Sequence, residues 1–596
     1  MIYKNILKMF FDVVEGNSDK TALLYKKSNR YVSINYNEFR EKVINFASGL
    51  ISIGIARGER IAILSENRPE WAISDLGIMH SGALTVPFYT SLPPKQIEYL
   101  LKVSGAKSII ISNLKQLEKI QKIYQNLNFL KLVITLFEPE KKYNFEIKTF
   151  NDIIDLGRKN FIENKGKLDE LSEQIDSDDT FTIIYTSGTT GISKGVILTH
   201  RNILSNVESA LKVLSITDKD MFLSFLPLSH ILERMAGQFI PIYKGASIAY
   251  AESLSTLKYN IIEAKPTVII AVPRIFEKMY EVIKHNIEKK SSLIKRILLW
   301  SLNGGVKYEK EKQKGKISLY TKIKKITGDK LIYKKLRGLT GGRLRFYICG
   351  GAHLNKNIGE FFDSAGIKII EGYGLTETSP VIAVNRLDEY RLGTVGKPLP
   401  DIDVKISKDG EILTRGPCVM KGYYNDEQST KLAIDDEGWF HTGDIGFLDK
   451  DGFLTITDRK KDIIVISSGK NIAPQLIEEL VLTSKYINQA VVLGHKKKFI
   501  SALIVPHFQN IKIYAELKKI LYKTIDELIE HNTIYQLIKI EIEKVSRNLS
   551  DCEKVKKFTL LKKEFDIESE ELTPTLKIKR NVIEKKYAEI INNMYI

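Results

Sequence analysis

Short β-branched runs alternate with longer stretches of helical apolar spacing from residue 60 to about 275; RIAILSEN, SIIIS, LKLVITL, FTIIYTSG and PTVIIAVP each read as a buried strand. That alternation predicts βαβ units and a parallel sheet. The rhythm resumes at 344–349 and 367–370, and each run ends in a glycine-bearing loop. Open α/β sheets place their ligands at such loops, which is where the chemistry is sought.

Between about 283 and 345 the pattern shifts to Lys-rich helical sequence without a strand-like run, which predicts an inserted helical region. Leu293, Ile297 and Trp300, with Ile294 and Leu298 beside them, form an apolar stripe flanked by Lys295 and Arg296. The stripe fits a surface-seeking amphipathic helix and equally a helix docked on its own domain. From about 395 to 457 short strands and turn signals predict a small β subdomain. The charged turn Asp458-Arg459-Lys460-Lys461-Asp462 then precedes a compact stretch holding QAVVLGHKKKFISALIVP. The expected organisation is a large N-terminal domain over 1–457, a hinge at 458–462 and a small mobile C-terminal domain over 463–596. The fold class is α/β: doubly wound parallel sheets plus a small β subdomain, hinged to a smaller α+β domain.

With 596 residues, 43% hydrophobic and 27% charged, the chain has the usage of a multidomain globular protein rather than a disordered or collagen-like one. Lys and Arg number 90 against 72 Asp and Glu, a net charge of +18 that attracts phosphates, anionic lipid or nucleic acid. Cys349, Cys418 and Cys552 are too few for a disulfide framework, which fits a reducing compartment. The apolar runs fall short of the ~20 residues that span a bilayer, and Asp12 and Glu15 interrupt the start where a signal peptide would be apolar. A soluble cytoplasmic or peripheral protein is expected.

The sharpest local signal is Tyr185-Thr186-Ser187-Gly188-Thr189-Thr190-Gly191-Ile192-Ser193-Lys194-Gly195, set between the runs FTII and VILT. Glycines let backbone approach a ligand, while hydroxyls and amides form an anion-binding concavity to which Lys194 adds positive charge. It is not the G-x-x-x-x-G-K-[ST] loop, because after Gly188 and four further residues the chain reads Ser193-Lys194-Gly195. Taken alone, it also fits a polar turn.

The loop resembles the phosphate-binding signature of the adenylate-forming superfamily of acyl-CoA synthetases and related carboxylate ligases. Six further blocks follow in that superfamily's order: LPLSH at 226–230, GGAHL at 350–354, EGYGLTETSP at 371–380, GWFHTGDIG at 438–446, DRKKDIIVISSGKNIAP at 458–474 and LTPTLKIKR at 572–580. The form EGYGLTETS and the insertion after 283 look most like the long-chain fatty acid branch. The resemblance implies ATP, Mg²⁺ and CoA as cofactor and co-substrates. It places Thr186, Ser187, Gly188, Thr189, Thr190, Gly191 and Lys194 at the phosphates, and Gly350 and Gly351 against adenine. The segment Glu371, Gly372 and Tyr373 continues the nucleotide site, with Tyr373 stacked on the base, Thr376 on a phosphate and Glu377 on Mg²⁺, and Thr186 as a second metal contact. Asp444 and Arg459 are assigned to the ribose, Lys461 to the hinge, Lys577 to the carboxylate and α-phosphate, and His230 to the acyl end. By residue type alone, Tyr373 also suits a core, Glu377 a helix start, Asp444 a turn, Arg459 a solvated surface and His230 a structural role.

Three positions depart from the superfamily pattern. Thr575-Leu576 stands where Ser-Gly is usual before the lysine, Val465 where some relatives carry another lysine, and Glu233-Arg234 where some long-chain relatives have an aromatic gate.

The reading that follows is an enzyme that makes a fatty acyl adenylate from ATP and a fatty acid, then transfers the acyl group to CoA. An alternative acceptor is the phosphopantetheine of an acyl carrier protein, which the basic surface would suit. A rival of another class, a non-enzymatic basic binder of membrane or nucleic acid, leaves the ordered blocks unexplained. Peripheral contact with anionic membrane is compatible with catalysis, and nucleic acid is not an expected partner.

Overall fold

Runs such as SIII at 108–111, VIIA at 268–271 and FYIC at 346–349 are buried at every position, the signature of parallel strands covered on both faces. The computed structural model describes residues 2–186, 193–313, 316–566, 569–573 and 578–596. The chain divides into two compact units: Met1–Lys405 with Leu413–His441 and Leu448–Thr455, and Ile406–Ile412 with Thr442–Phe447 and Ile456–Ile596.

All the runs read as strands are strands, but they divide between two sheets of the first unit. In the eight-stranded sheet Arg60–Leu64 lies between Leu84–Phe88 and Ser108–Ile111, so the chain winds first one way and then the other. Leu132–Thr135, Ile147–Thr149 and Thr180–Thr186 extend the parallel set. Lys194–Thr199 then returns antiparallel to Thr180–Thr186, with Thr186 opposite Lys194. The hydroxyl-rich loop therefore caps a hairpin, not a βα turn. Gly422–Tyr423 adds the last strand of this sheet, antiparallel to Lys194–Thr199.

The nine-stranded sheet holds Met221–Ser224 between Ser247–Tyr250 and Val268–Ala271, followed by Phe346–Cys349 and Lys368–Gly374, all parallel. Its register sets Ala271 beside Cys349 and Cys349 beside Glu371. Gly350, which follows Cys349, and Gly372, which follows Glu371, therefore lie at the same level of neighbouring strands. Thr21–Lys27 and Arg30–Asn35, which the reading of strand runs did not include, complete the far side.

The Lys-rich region is helical, through Pro273–Glu288, Ser292–Gln313, Leu319–Gly328 and Lys334–Leu339. Tyr333 and Leu336 bury themselves in the core of the nine-stranded sheet. Of the expected stripe, the side chains of Leu293, Ile294 and Leu298 lie outside the described residues; Ile297 is exposed, and the Trp300 indole faces the Tyr320 hydroxyl at 3.4 Å.

In the second unit Ile487–Leu493, Ser501–Pro506 and Lys557–Leu560 form a three-stranded sheet, packed with Pro474–Val481 and Asn532–Val545 around Ile477, Val492, Ile504 and Ile538. A buried ion pair fastens the last helices: Arg580 meets Glu478 Oε1 at 2.8 Å, and the same oxygen accepts the Val492 amide at 2.6 Å. Among the described residues, no helix is long and apolar enough to cross a membrane.

Candidate functional site

Ser187, Gly188, Thr189, Thr190 and Gly191 lie outside the described residues, as does Lys577. The two ends of the hydroxyl-rich loop are described, and their pairing brings Thr186 across from Lys194. The Lys194 ammonium sits 4.8 Å from the ring centre of Tyr423, on the neighbouring strand. Tyr424 donates its amide to Gly195 O at 2.7 Å, so segment 420–424 is stitched to the loop's exit.

The same segment reaches Glu377. After the strand Lys368–Gly374 the chain makes a tight turn at Thr376–Thr378, closed by the Leu375 amide on Pro380 O at 3.1 Å and by the Thr378 hydroxyl on the same oxygen at 2.6 Å. Met420 donates its amide to Glu377 O at 2.7 Å, and the Tyr423 hydroxyl donates to Glu377 Oε1 at 3.0 Å. Burial first, and the Glu377 charge next, push the Tyr423 phenol upward, so it stays protonated and donates. Thr376 is half-buried in this turn, and Tyr373 is 9% exposed on the strand before it.

At the other loops, a side chain at Gly350 would press on Leu232 at 3.0 Å and lie 3.6 Å from Gly372 O, which places Gly350, Gly372 and the segment after His230 together. Gly351 follows on the exposed side. Glu371 is buried, and its Oε2 accepts the Leu354 amide at 3.3 Å. Its carboxylate shapes the GGAHL loop.

His230 Nδ1 accepts the Leu232 amide at 3.1 Å, capping the helical turn that starts at Ile231. Because Nδ1 accepts here, Nε2 is the ring nitrogen left to carry a proton. Asn67, absent from the sequence reading, clamps this loop: its amide donates to Ser224 Oγ at 2.8 Å and Leu226 O at 2.5 Å, and its Oδ1 accepts the Leu228 amide at 3.0 Å.

Glu233 and Arg234 are both fully buried. Arg234 donates to both oxygens of Asp75, at 3.0 and 2.5 Å, and to Thr182 Oγ1 at 2.8 Å, while Gln238 Nε2 donates to Asp75 Oδ2 at 2.9 Å. The rings of Trp71, Phe181 and Phe239 enclose the guanidinium. Arg234 thus ties the His230 segment to the strand that carries Thr186. Burial pushes Glu233 up to about 8, against the opposing pull of Ser224.

In the second unit Asp444 is buried and pairs with Arg459 Nε at 3.1 Å. The two residues assigned to the ribose are thus neighbours. Lys460 bridges Asp409 at 2.7 Å and Glu411 at 2.8 Å, and its amide donates to Gly443 O at 2.8 Å. Lys461 is exposed in the turn that follows. Burial pushes Asp458 up to about 6. The Lys577 segment leaves from Leu572 and returns at Ile578, which pair antiparallel, and Lys579 donates its amide to Glu571 O at 2.8 Å.

Among the described residues there is no cluster of three or more His, Cys, Asp or Glu fit to hold a metal. Glu377 offers a hard carboxylate fixed by its neighbours. That fits Mg²⁺, which keeps several waters and takes few protein ligands beside substrate phosphates. Bound there, the ion would neutralise developing charge on phosphoryl oxygens.

Residues 10–424 match the AMP-binding enzyme family, and residues 461–596 match the AMP-binding enzyme C-terminal domain. The chain is 32% identical to the long-chain-fatty-acid–CoA ligase FadD15 of Mycobacterium bovis, over 100% of this chain and 97% of that protein. It is 33% identical to the human long-chain-fatty-acid–CoA ligase ACSBG2, over 99% of this chain and 92% of that one. Among solved structures it superposes on the adenylation domain of a carboxylate reductase from Mycobacterium chelonae with a TM-score of 0.79, at 19% identity, covering 100% of this chain and 92% of that one.

Proposed function

The chain belongs to the family of AMP-binding enzymes, and we propose that it activates a long-chain fatty acid with ATP and delivers the acyl group to CoA. The observation that carries the substrate class is the end-to-end relatedness to long-chain-fatty-acid–CoA ligases. In the first half-reaction a carboxylate oxygen attacks the α-phosphorus, the bond to the β-phosphate oxygen breaks, and pyrophosphate leaves. In the second, the CoA thiol loses its proton and its sulfur attacks the acyl carbonyl; AMP departs with the electrons of the anhydride bond. A carboxylate is inert toward a thiol at neutral pH, so the first step exists to supply a leaving group.

Positioning and charge neutralisation then carry the catalysis. Lys194 and the residues Thr186 to Gly191 bind phosphates, Glu377 holds Mg²⁺ with Thr186 as a second contact, and Thr376 meets a phosphate oxygen. Tyr373 packs on adenine with Gly350, Gly351 and the backbone at Glu371 and Gly372, while Asp444 and Arg459 take the ribose. His230 lines the acyl end, and its helix-capping bond fixes the ring. Lys577 neutralises charge between the carboxylate and the α-phosphate. A large domain over 1–457 and a small one over 463–596 turn about 458–462, with Lys461 as the pivot, so that Lys577 withdraws before the thiol arrives.

ATP–pyrophosphate exchange across acids of rising chain length, followed by thioester formation on CoA, tests the reading. Exchange that grows toward long chains, with acyl-CoA as product, is expected; exchange with short or aromatic acids alone would overturn the substrate class. Thioester on an acyl carrier protein and none on CoA would move the acceptor to that carrier.

A second part of the reading is peripheral contact with an anionic bilayer, where fatty acids partition. Leu319, Tyr320, Ile323 and Ile326 are 75, 57, 52 and 58% exposed along Leu319–Gly328, with exposed Lys322 and Lys330 beside them. An apolar stripe with a basic rim suits insertion among anionic headgroups. Co-sedimentation with phosphatidylglycerol vesicles that survives Ile323→Glu with Ile326→Glu would remove this helix from the contact.

A further inference from the structure

Segment 420–424 touches the acidic and the basic arm of the nucleotide chemistry at once. Its amide at Met420 holds the Glu377 carbonyl, the Tyr423 phenol holds the Glu377 carboxylate, and the Tyr423 ring carries the Lys194 ammonium. The backbone behind the ring is pinned from three sides. Tyr423 donates its amide to Thr430 Oγ1 at 2.9 Å, pairs with Val196 in the sheet, and is followed by the Tyr424 amide on Gly195 O. Gly422 just before it has φ +152, and a side chain there would press on Thr430 at 2.9 Å, so this approach is open to glycine alone.

We propose that Tyr423 is a positioning residue for adenylation, whose hydroxyl orients the Glu377 carboxylate for Mg²⁺ while its ring face holds Lys194 toward the phosphates. This rests on the reading of Glu377 as the magnesium ligand. A carboxylate swings about its side-chain bonds, and a lysine ammonium about four more; both lose that freedom when a ligand orders them. One rigid aromatic side chain, itself fixed by the sheet, removes part of that cost for both groups in advance. The ring contributes a cation–π contact and the hydroxyl a hydrogen bond to a charged acceptor, so the two functions are chemically separable.

Tyr423→Phe deletes the hydroxyl and keeps the ring. Magnesium half-saturation in ATP–pyrophosphate exchange should rise about tenfold, the usual result of losing an outer partner of a metal ligand. Exchange at saturating Mg²⁺ should fall far less than exchange at limiting Mg²⁺, without a matching drop in melting temperature. Tyr423→Leu removes the ring as well, and the KM for ATP should rise a further ~3-fold. Thr430→Val releases the Tyr423 amide without touching Glu377, and should shift magnesium half-saturation in the same direction by less.

Glu377→Gln separates the two layers of the inference. If it raises magnesium half-saturation while Tyr423→Phe leaves that value unmoved, the positioning role is overturned and the ligand reading stands. If Glu377→Gln leaves magnesium dependence unchanged, the ligand reading falls and the Tyr423 proposal falls with it. A purely structural tyrosine would lower melting temperature and exchange together at every Mg²⁺ concentration, which also counts against the proposal.

Discussion

Arg234, four residues past the LPLSH block, and Lys460, inside the 458–474 block, are both cations held by carboxylate oxygens, yet they sit in opposite physical settings. Arg234 and Asp75 are completely buried in the first unit, with Thr182 and Gln238 taking further hydrogen bonds and three aromatic rings closing the surround. Lys460 in the second unit is 47% exposed and reaches the exposed Asp409 and the rim of the buried Glu411 from solvent. A buried pair is costly to assemble and far costlier to break, while an exposed one is worth little either way. The first arrangement makes a fixed platform under the His230 segment; the second makes a contact that thermal motion opens readily, beside the turn proposed to pivot.

Breaking the buried pair should give the largest effect. Asp75→Ala leaves a desolvated guanidinium without its carboxylate, and a loss of about 3–5 kcal/mol is expected, seen as a fall in the denaturant midpoint. Replacing both partners by apolar residues of similar size, Asp75→Leu with Arg234→Met, should recover most of that loss. An Asp75→Ala protein as stable as wild type would end the contrast.

Glu233, adjacent to Arg234 and equally buried, sharpens the same contrast through pH. Its pKa is raised from an ordinary 4.5 to about 8, so the folded state favours the protonated acid. The stability this brings is complete below about 4.5 and is lost as pH climbs through about 8. Glu233→Gln stays neutral throughout. Its melting temperature relative to wild type should therefore improve steadily from pH 5 to pH 8, and a constant gap across that window would show that Glu233 is charged or solvated.

The loops that carry chemistry were legible because glycine, hydroxyl and charged residues interrupt β-branched runs at 185–195, 350–354 and 371–380. Strand identity was legible for the same reason: four consecutive buried apolar residues have few other uses. Which strands share a sheet was not. VIIA at 268–271 and FTIIYT at 181–186 look alike in sequence but belong to different sheets, because pairing depends on partners far along the chain. The contact of Tyr423 with Glu377 spans 46 residues, and Asn67 reaches its loop across more than 150, so no local pattern announces either. Arg234 read only as a departure from the aromatic gate of some long-chain relatives, since burial of a cation is visible only once Asp75 is seen opposite it.

Lys460 should give the smallest effect on stability and the most telling one on kinetics. Lys460→Met deletes one ion pair to the exposed Asp409 and one to the buried Glu411, whose other oxygen still accepts the Gly443 amide, and keeps the aliphatic stem. A stability loss under ~1 kcal/mol is expected, shrinking further at high salt as the remaining charges are screened. If the turn at 458–462 is where the small domain pivots, this side chain holds one end of the pivot to the hairpin bearing Asp409 and Glu411. Loosening it should leave ATP–pyrophosphate exchange intact while changing the rate of acyl-CoA formation by about threefold or less, the scale that ~0.6 kcal/mol sets on a rate. Equal changes in both half-reactions would place Lys460 in a fixed surface, and the distinction drawn between the buried and the exposed clamp would then have no counterpart in the catalytic cycle.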